Sequence, residues 1–231
     1  MGVCSKCLSF KSFRRLYFVA RAGVYHLTAA RLSRRRCGAR RMDQWRSFAR
    51  VAGARCCSLT FMTTDQELFA LAERVGQKLR GAGRRLATAE SCTGGWVAKA
   101  CTDVAGSSQW FECGFVTYSN AAKVRDVGVS ERALVDHGAV SEATVREMAA
   151  GALRVSGVDV AVAISGIAGP DGGTQTKPVG TVWFGLASRR GADVVVIAEK
   201  ELFGGDRELV RRRSVDRALQ MVVAIEWSAA T

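Results

Sequence analysis

A turn at residues 88–95 brings together residue types that nucleophilic catalysis uses. It reads TAESCTGG, and it holds a hydroxyl at Ser91, a thiol at Cys92 and a second hydroxyl at Thr93 before two glycines. Because a short apolar stretch precedes the turn and a helical pattern follows it, its backbone N–H groups could bind an anion or a developing oxyanion. Ser91 could therefore be a nucleophile. Spacing alone leaves open that Ser91 or Thr93 only caps the helix.

A serine nucleophile needs a base, and the segment GFVTYSNAAK at residues 114–123 offers one. Lys123 could accept the proton if burial or a cationic neighbour lowered its pKa from the ordinary value of about 10.4. Tyr118 could relay or donate a proton in the same cluster. Taken in isolation, the two would be a strand-end tyrosine and a solvated helix lysine. His137 is expected in a polar turn, which disfavours a Ser-His-Asp triad.

Cys92 is a rival nucleophile beside Ser91. A cysteine at a helix start is more often a small buried side chain unless a base lies near it. The sequence alone does not choose between the two.

A glycine-rich loop at residues 166–173 is the third candidate segment. Gly169, Gly172 and Gly173 leave backbone amides exposed, as phosphate-binding loops do, although the spacing matches neither the P-loop nor the dinucleotide pattern. Arg207 lies at the start of another predicted helix, where a phosphate would also be favoured. The alternative for Arg207 is a capped turn that faces solvent.

The hydrophobic pattern of residues 62–231 predicts the elements that position these segments. We expect helices at residues 65–79, 94–104, 121–127, 141–155 and 206–227, and strands at 86–89, 110–118, 158–165, 179–188 and 193–203. Ser141 and Asp206 are expected helix caps. Residues 158–165 are almost all small or β-branched and apolar, which is typical of a strand covered on both faces. The alternation predicts an α/β fold, a three-layer α/β/α sandwich around a mixed sheet of about five strands.

Composition places the chain among globular proteins. Its 231 residues are 48% hydrophobic and 24% charged with two prolines, which excludes a disordered or collagen-like chain. No stretch reaches the 18 or so uninterrupted apolar residues of a membrane helix, so we expect no membrane association.

The charge is distributed very unevenly along the chain. Residues 1–61 hold 14 of the 34 lysines and arginines but one of the 21 acids, so they carry the whole net charge of +13, and residues 62–231 are neutral. We expect a basic, irregular N-terminal extension at 1–61, either disordered or upstream sequence read from an early start codon before Met62. A mitochondrial-type transit peptide and a phosphate-binding arm are the alternatives. A nucleic-acid partner is expected for this segment at most.

The cysteines favour a reducing compartment over a metal site. Cys4 and Cys7 could begin a zinc site, but their further ligands would lie at irregular spacings, so we expect no metal. The neutral part holds three cysteines, an odd number, without a signal-peptide pattern. We therefore expect reduced thiols and a cytoplasmic protein.

Seven motifs, taken in order, resemble one family. They are AESCTGG at 89–95, GSSQWF at 106–111, GFVTYSN at 114–120, GAVS at 138–141, ISGIAGPDGG at 164–173, KPVGTV at 177–182 and FGGDR at 203–207. Together they resemble the C-terminal domain family of the competence/damage-inducible CinA proteins, whose stand-alone members are nicotinamide mononucleotide deamidases. The resemblance covers about residues 64–227. Residues 1–61 have no counterpart in it, and the chain lacks the second, N-terminal domain of the larger CinA proteins.

The resemblance implies an amidase that converts nicotinamide mononucleotide to nicotinic acid mononucleotide and ammonia without metal or organic cofactor. It implies Ser91 as the nucleophile, Lys123 and Tyr118 as the proton-transfer pair, and Ser108 nearby. The substrate-binding residues it implies are Cys92, Thr93, Gly94, Gly95, Asn120, Ser165, Gly169, Gly172, Gly173 and Arg207. It also implies a homodimer. The alternative is a non-catalytic nucleotide-binding or competence-related interaction module.

Overall fold

A computed structural model of the chain describes residues 17–20, 23–26 and 63–227. The chain divides into two units, Met1–Leu59 and Thr60–Thr231. In the first unit, strands Tyr17–Ala20 (β1) and Gly23–His26 (β2) pair antiparallel. The rest of the predicted extension, with the cysteines considered as zinc ligands, lies outside the described residues, and the role of residues 1–61 stays a prediction.

Residues 63–227 hold six α-helices. They are Asp65–Gly81 (α1), Trp96–Thr102 (α2), Asn120–Val127 (α3), Glu131–His137 (α4), Glu142–Ser156 (α5) and Arg207–Ala224 (α6). Polar residues fix most of the helix starts, since their side chains accept a hydrogen bond from an otherwise free N–H of the first turn. Thr64 does so in a capping box with Glu67, and Ser141 and Asp206 are the caps expected from the sequence.

The sheet of the second unit is mixed and has five strands. They are Leu86–Glu90 (β3), Phe111–Val116 (β4), Val160–Gly166 (β5), Thr181–Arg190 (β6) and Asp193–Leu202 (β7). In the order β4-β3-β5-β6-β7, the first three strands are parallel and the last two are antiparallel to their neighbours. The carboxyl ends of β3, β4 and β5 therefore lie at one edge.

Two hydrophobic cores cover the two faces of this sheet. Helices α1, α2 and α6 pack on one face, and α3, α4 and α5 pack on the other. Central strand β5 shows the division, because Val160 and Val162 belong to the first core and Ala161 and Ala163 to the second. A shift of one residue would exchange these faces, so the burial of large aliphatic side chains, about 1.5–3 kcal/mol each, fixes the register.

The structure confirms the predicted three-layer α/β sandwich and its five strands. The differences are local. Helix α4 was not predicted, because its seven residues bury only Ala133 and give too short a periodic pattern. His137 is consequently the last residue of a helix and does not lie in a polar turn. Helix α2 begins at Trp96, two residues later than expected, since the glycines before it adopt positive φ.

Candidate active site

The candidate site lies at the carboxyl ends of the three parallel strands. Ser91 follows directly after β3, and Thr117 follows directly after β4. Two backbone hydrogen bonds hold these segments together: Ser91 donates to the carbonyl of Ile164 on β5 at 2.9 Å, and Thr117 donates to that of Glu90 at 2.8 Å. In α/β sheets this edge is where loops meet and binding sites form.

Ser91 and Lys123 form a buried pair. The Nζ atom of Lys123, on α3, lies 3.0 Å from the Oγ atom of Ser91. Lys123 is 1% exposed and Ser91 is 9% exposed, so bulk water competes little with the contact. The distance is within the range for direct proton transfer between a nucleophile and its base.

The surroundings of Lys123 favour a neutral amine. Its Nζ atom also lies 2.8 Å from the carbonyl oxygen of Thr117 and 3.4 Å from that of Tyr118. No salt bridge to Lys123 is found within residues 63–227, and burial lowers the pKa of its ammonium group. An ammonium would donate to all three oxygens, whereas a neutral amine would donate to the two carbonyls and accept from the hydroxyl of Ser91.

Glu90 determines the shape of the turn that carries Ser91. Its side chain is fully buried, and its carboxylate accepts hydrogen bonds from the backbone N–H groups of Gly95, Val97 and Ala98 at 2.8–3.0 Å. The sequence-based expectation of a free helix start is therefore wrong for α2. Neither Ser91 nor Thr93 caps the helix, because the Glu90 carboxylate already occupies its N–H groups.

Two backbone amides of the turn have no acceptor in the described part of the chain, and one of them could bind an oxyanion. The Gly94 N–H donates to the carbonyl of Ser91 at 3.1 Å, and the Gly95 N–H donates to Glu90. Among the residues that the structure describes, no acceptor is found for the N–H groups of Cys92 and Thr93. Thr93 is fully buried, so of the amides expected over residues 92–95 the Cys92 N–H remains as the donor that an oxyanion could contact. It directly follows Ser91, as in the oxyanion hole of a nucleophile elbow.

The Cys92 thiol is unsuited to be the nucleophile. Its side chain is buried, and burial raises the pKa of the thiol to about 12, with Glu90 adding to the effect. The thiol therefore stays protonated near neutrality, and the thiolate is the nucleophilic form. Of the two candidates, only Ser91 contacts a base.

Tyr118 and Arg207 meet at the outer rim of the site. The Tyr118 side chain is 63% exposed, and its hydroxyl oxygen lies 3.5 Å from Nη2 of Arg207. Nη1 of Arg207 donates to the carbonyl of Gly169 at 2.9 Å. The structure thus joins Arg207 to the glycine-rich loop, whereas Tyr118 contacts Lys123 through its backbone carbonyl only.

The glycine-rich loop at residues 166–173 begins at the end of β5, and the whole connection to β6 spans residues 167–180. Gly169 and Gly172 adopt positive φ of 83° and 87°, a conformation that glycine adopts without strain. No acceptor within the described part of the chain is found for the N–H groups of Asp171, Gly172 and Gly173. Exposed amides next to an arginine suit an anionic group.

Three further predicted residues occupy different surroundings. The buried Ser165 hydroxyl, at the end of β5, donates to the carbonyl of Ala139 at 2.7 Å. Asn120 is exposed at the start of α3. Ser108 is exposed in a 3₁₀ turn that precedes β4, so it lies at the amino edge of the parallel strands, opposite to Ser91. Within one chain the structure does not bring Ser108 to the site.

Sequence reasoning missed two residues that hold the site. One is Glu90, and the available signal was an acid directly after the apolar stretch 86–89 and before the turn. The other is Arg211, which contacts the carbonyls of Cys92 and Thr93 from α6. Arg211 lies four residues after Arg207, a spacing that places both on one side of a helix.

Neither a metal centre nor a membrane span emerges from the described residues. Between residues 63 and 227, no three His, Cys, Asp or Glu side chains are grouped as a metal site requires. No helix in the same part of the chain is long and apolar enough to cross a bilayer.

Comparison with known proteins places the motifs in a family. Residues 68–225 match the model of the CinA C-terminal domain. The nicotinamide-nucleotide amidohydrolase PncC of Escherichia coli K12 is 60% identical over 157 residues, which cover 68% of this chain and 93% of that protein. The PncC of Pseudomonas putida is 53% identical over 151 residues, covering 64% and 91%.

Solved structures agree with this assignment. The crystal structure of the competence/damage inducible protein CihA from Agrobacterium tumefaciens superposes with a TM-score of 0.66 at 41% sequence identity. The alignment covers 72% of this chain and 98% of that one.

Proposed function

The chain belongs to the CinA C-terminal domain family, and we propose that it hydrolyses the carboxamide of nicotinamide mononucleotide to nicotinic acid mononucleotide and ammonia. The observation that carries the proposal is the buried 3.0 Å contact between Lys123 Nζ and Ser91 Oγ. The amidohydrolases that match most of the chain supply the substrate class.

The first half-reaction forms an acyl-enzyme. The neutral amine of Lys123 takes the proton of the Ser91 hydroxyl while Oγ attacks the carboxamide carbon. The negative charge that develops on the carbonyl oxygen is held by the N–H group of Cys92. Lys123, now an ammonium, returns its proton to the departing nitrogen, so ammonia leaves and the nicotinoyl ester of Ser91 remains.

The second half-reaction reverses these roles with water. Lys123 takes a proton from a water molecule, whose oxygen attacks the ester carbon. When the second tetrahedral intermediate collapses, the ester bond to Ser91 breaks and Lys123 gives the proton back to Oγ. The products are the nicotinate carboxyl group and the original enzyme, and no step requires a cofactor because Lys123 supplies both acid and base.

The rim is proposed to bind the nucleotide part of the substrate. Arg207 and the free amides of the glycine-rich loop, Gly172 and Gly173 among them, would bind the phosphate. Because the Tyr118 hydroxyl lies beside Arg207, we place it next to the phosphate. To assist proton transfer, the phenol would have to turn from Arg207 toward Ser91. Gly94 and Gly95 would let the pyridine ring approach the turn, with Asn120 and Ser165 at its sides.

Two predictions concern partners of the chain, one from the resemblance and one from the basic charge of residues 1–61. The first is a homodimer, which sedimentation equilibrium of the full chain would measure. A dimer would also offer a way for the exposed Ser108 of one copy to reach the site of another. The second is nucleic-acid binding by residues 1–61. The affinity of the full chain for nucleic acid should then decrease as the salt concentration rises, and a chain that starts at Met62 should not show this binding.

The decisive experiment measures ammonia release by the full chain from nicotinamide mononucleotide and, in parallel, from free nicotinamide. We expect turnover of the mononucleotide and at most slow turnover of the free amide. Thermal stabilisation by the mononucleotide without ammonia release would instead support the non-catalytic binding module and overturn the proposal.

A further inference from the structure

Arg211, on α6, binds the turn that follows Ser91 through two hydrogen bonds. Its Nε atom donates to the carbonyl of Cys92 at 3.1 Å, and its Nη2 atom donates to the carbonyl of Thr93 at 2.8 Å. The guanidinium is a rigid planar fork, so two bonds to successive carbonyls fix both peptide groups at once. Its carbon also lies 5.2 Å from the centre of the Trp96 ring, which holds the side chain in place.

Because a peptide group is planar, binding of its carbonyl also fixes the direction of its N–H group. The carbonyl of Cys92 and the N–H of Thr93 belong to one planar trans peptide group and point in opposite directions. The bond from Arg211 to this carbonyl therefore directs the Thr93 N–H to the opposite side of the turn. The next peptide group behaves in the same way, since its N–H, on Gly94, donates to the carbonyl of Ser91.

Thr93 is fully buried, so the amide that an oxyanion could contact is that of Cys92. Its N–H shares a trans peptide group with the carbonyl of Ser91, which the Gly94 N–H binds, and therefore points in the opposite direction. Glu90 holds the far end of the turn through Gly95, and Arg211 holds the middle. A cation on the carbonyl oxygen also polarises the peptide group and makes its N–H a better donor. A fixed and polarised N–H group stabilises the substrate oxygen more strongly as negative charge develops on that oxygen.

We propose that Arg211 is a positioning residue for the oxyanion site, acting through the Thr93–Gly94 peptide group, whose N–H holds the carbonyl of Ser91 and thereby orients the Cys92 N–H. The inference takes its substrate from the proposed function, whereas the contacts of Arg211 with the turn do not depend on that function. Arg211 does not touch the substrate in this account. It stabilises the transition state by fixing and polarising an amide that does.

The matched control is Arg212, the neighbouring residue on α6. Its guanidinium carbon lies 5.0 Å from the centre of the same Trp96 ring, and it pairs with Asp65 and Glu208 instead of the turn. Arg212→Gln therefore removes a comparable stacking contact and a charge without releasing the carbonyls of Cys92 and Thr93.

The test compares Arg211→Gln, Arg211→Lys and Arg212→Gln in the full chain. For Arg211→Gln we expect kcat for nicotinamide mononucleotide to fall about tenfold to hundredfold, somewhat less than the loss of a whole oxyanion donor. KM should change less than about threefold, because the interaction strengthens only in the transition state. Arg211→Lys should recover part of kcat, since an ammonium can still bind one carbonyl. Arg212→Gln should keep the wild-type kcat.

Two additional readouts separate positioning from folding and from the proposed function. In a Ser91→Ala background, Arg211→Gln should leave the dissociation constant of the mononucleotide unchanged. If the wild-type chain releases no ammonia, the proposed function fails, and the rate of Ser91 phosphonylation by a fluorophosphonate probe then tests Arg211 alone. A kcat or phosphonylation rate in Arg211→Gln equal to that of the wild-type chain overturns the inference. If Arg211→Gln does not fold, a wild-type rate in Arg211→Lys overturns it.

Discussion

The Nζ atom of Lys123 lies 3.0 Å from the Oγ atom of Ser91, and the two residues are 32 positions apart in the chain. Helix α3 carries the lysine inward from the end of β4, and the turn after β3 carries the serine. Because both are buried and no salt bridge to Lys123 is found in residues 63–227, the lysine can serve as a base without a histidine.

Replacement of either member of this pair should abolish turnover. We expect Ser91→Ala and Lys123→Met each to lower kcat by about a thousandfold or more, and the double variant to be no slower than the single ones, because the two act as one unit. Ammonia release measures this. Lys99→Met is the control, since Lys99 is exposed and pairs with Asp103. Turnover near the wild-type level in Ser91→Ala would exclude the acyl-enzyme.

Activity should rise with pH along a single limb. Burial lowers the pKa of Lys123, so the deprotonated, active form gains population at a lower pH than for a free lysine. The limb in kcat/KM should therefore have its midpoint below the ordinary lysine pKa of about 10.4. A profile of kcat/KM from pH 6 to 10 checks the direction. A rate that falls as the pH increases over this range would contradict a lysine base.

Glu90→Gln should destabilise the domain. The carboxylate accepts three backbone N–H groups, and an amide NH₂ in place of one oxygen would leave at least one buried N–H without an acceptor. We expect a loss of about 1–3 kcal/mol in the free energy of unfolding, measured by denaturant titration. Glu112→Gln removes a surface pair with Arg85 and should cost less than about 1 kcal/mol. Equal losses would mean that the buried bonds contribute no more than the surface pair.

Arg207→Gln should weaken the preference for a phosphorylated substrate. A charge-assisted hydrogen bond contributes about 1.5–3 kcal/mol, so the ratio of kcat/KM between nicotinamide mononucleotide and nicotinamide riboside should fall about tenfold to hundredfold. Arg213→Gln is the control, because Arg213 lies on the same helix and binds the carbonyl of Gly204. An unchanged ratio in Arg207→Gln would place the phosphate elsewhere.

Tyr118→Phe distinguishes a rim role from proton transfer. Since the phenol oxygen lies beside Arg207, we expect KM for the mononucleotide to increase a few-fold and kcat to stay within about twofold. Steady-state kinetics at several pH values measure both. A large decrease in kcat at unchanged KM would instead assign Tyr118 to proton transfer.

Local signals in the sequence were sufficient for the elements of the sandwich. Ser141 and Asp206 cap the helices that they were predicted to cap, and residues 160–166 form the strand buried on both faces. Caps and periodicity act over a few residues, so they can be detected in a linear pattern. The exception is α4, which is too short to show a period.

The order of the motifs along the chain was likewise sufficient to identify the family and to select Ser91, Lys123 and Arg207 as candidates. Only the tertiary structure could decide how these residues are arranged. Burial of Lys123 depends on how α3 packs, and the shape of the turn after Ser91 depends on Glu90 and on Arg211 from a distant helix. Ser108 lies at the opposite edge because of the parallel pairing of β3 and β4. Desolvation and hydrogen bonding between remote segments arise only when the chain is packed, so residue spacing does not determine them.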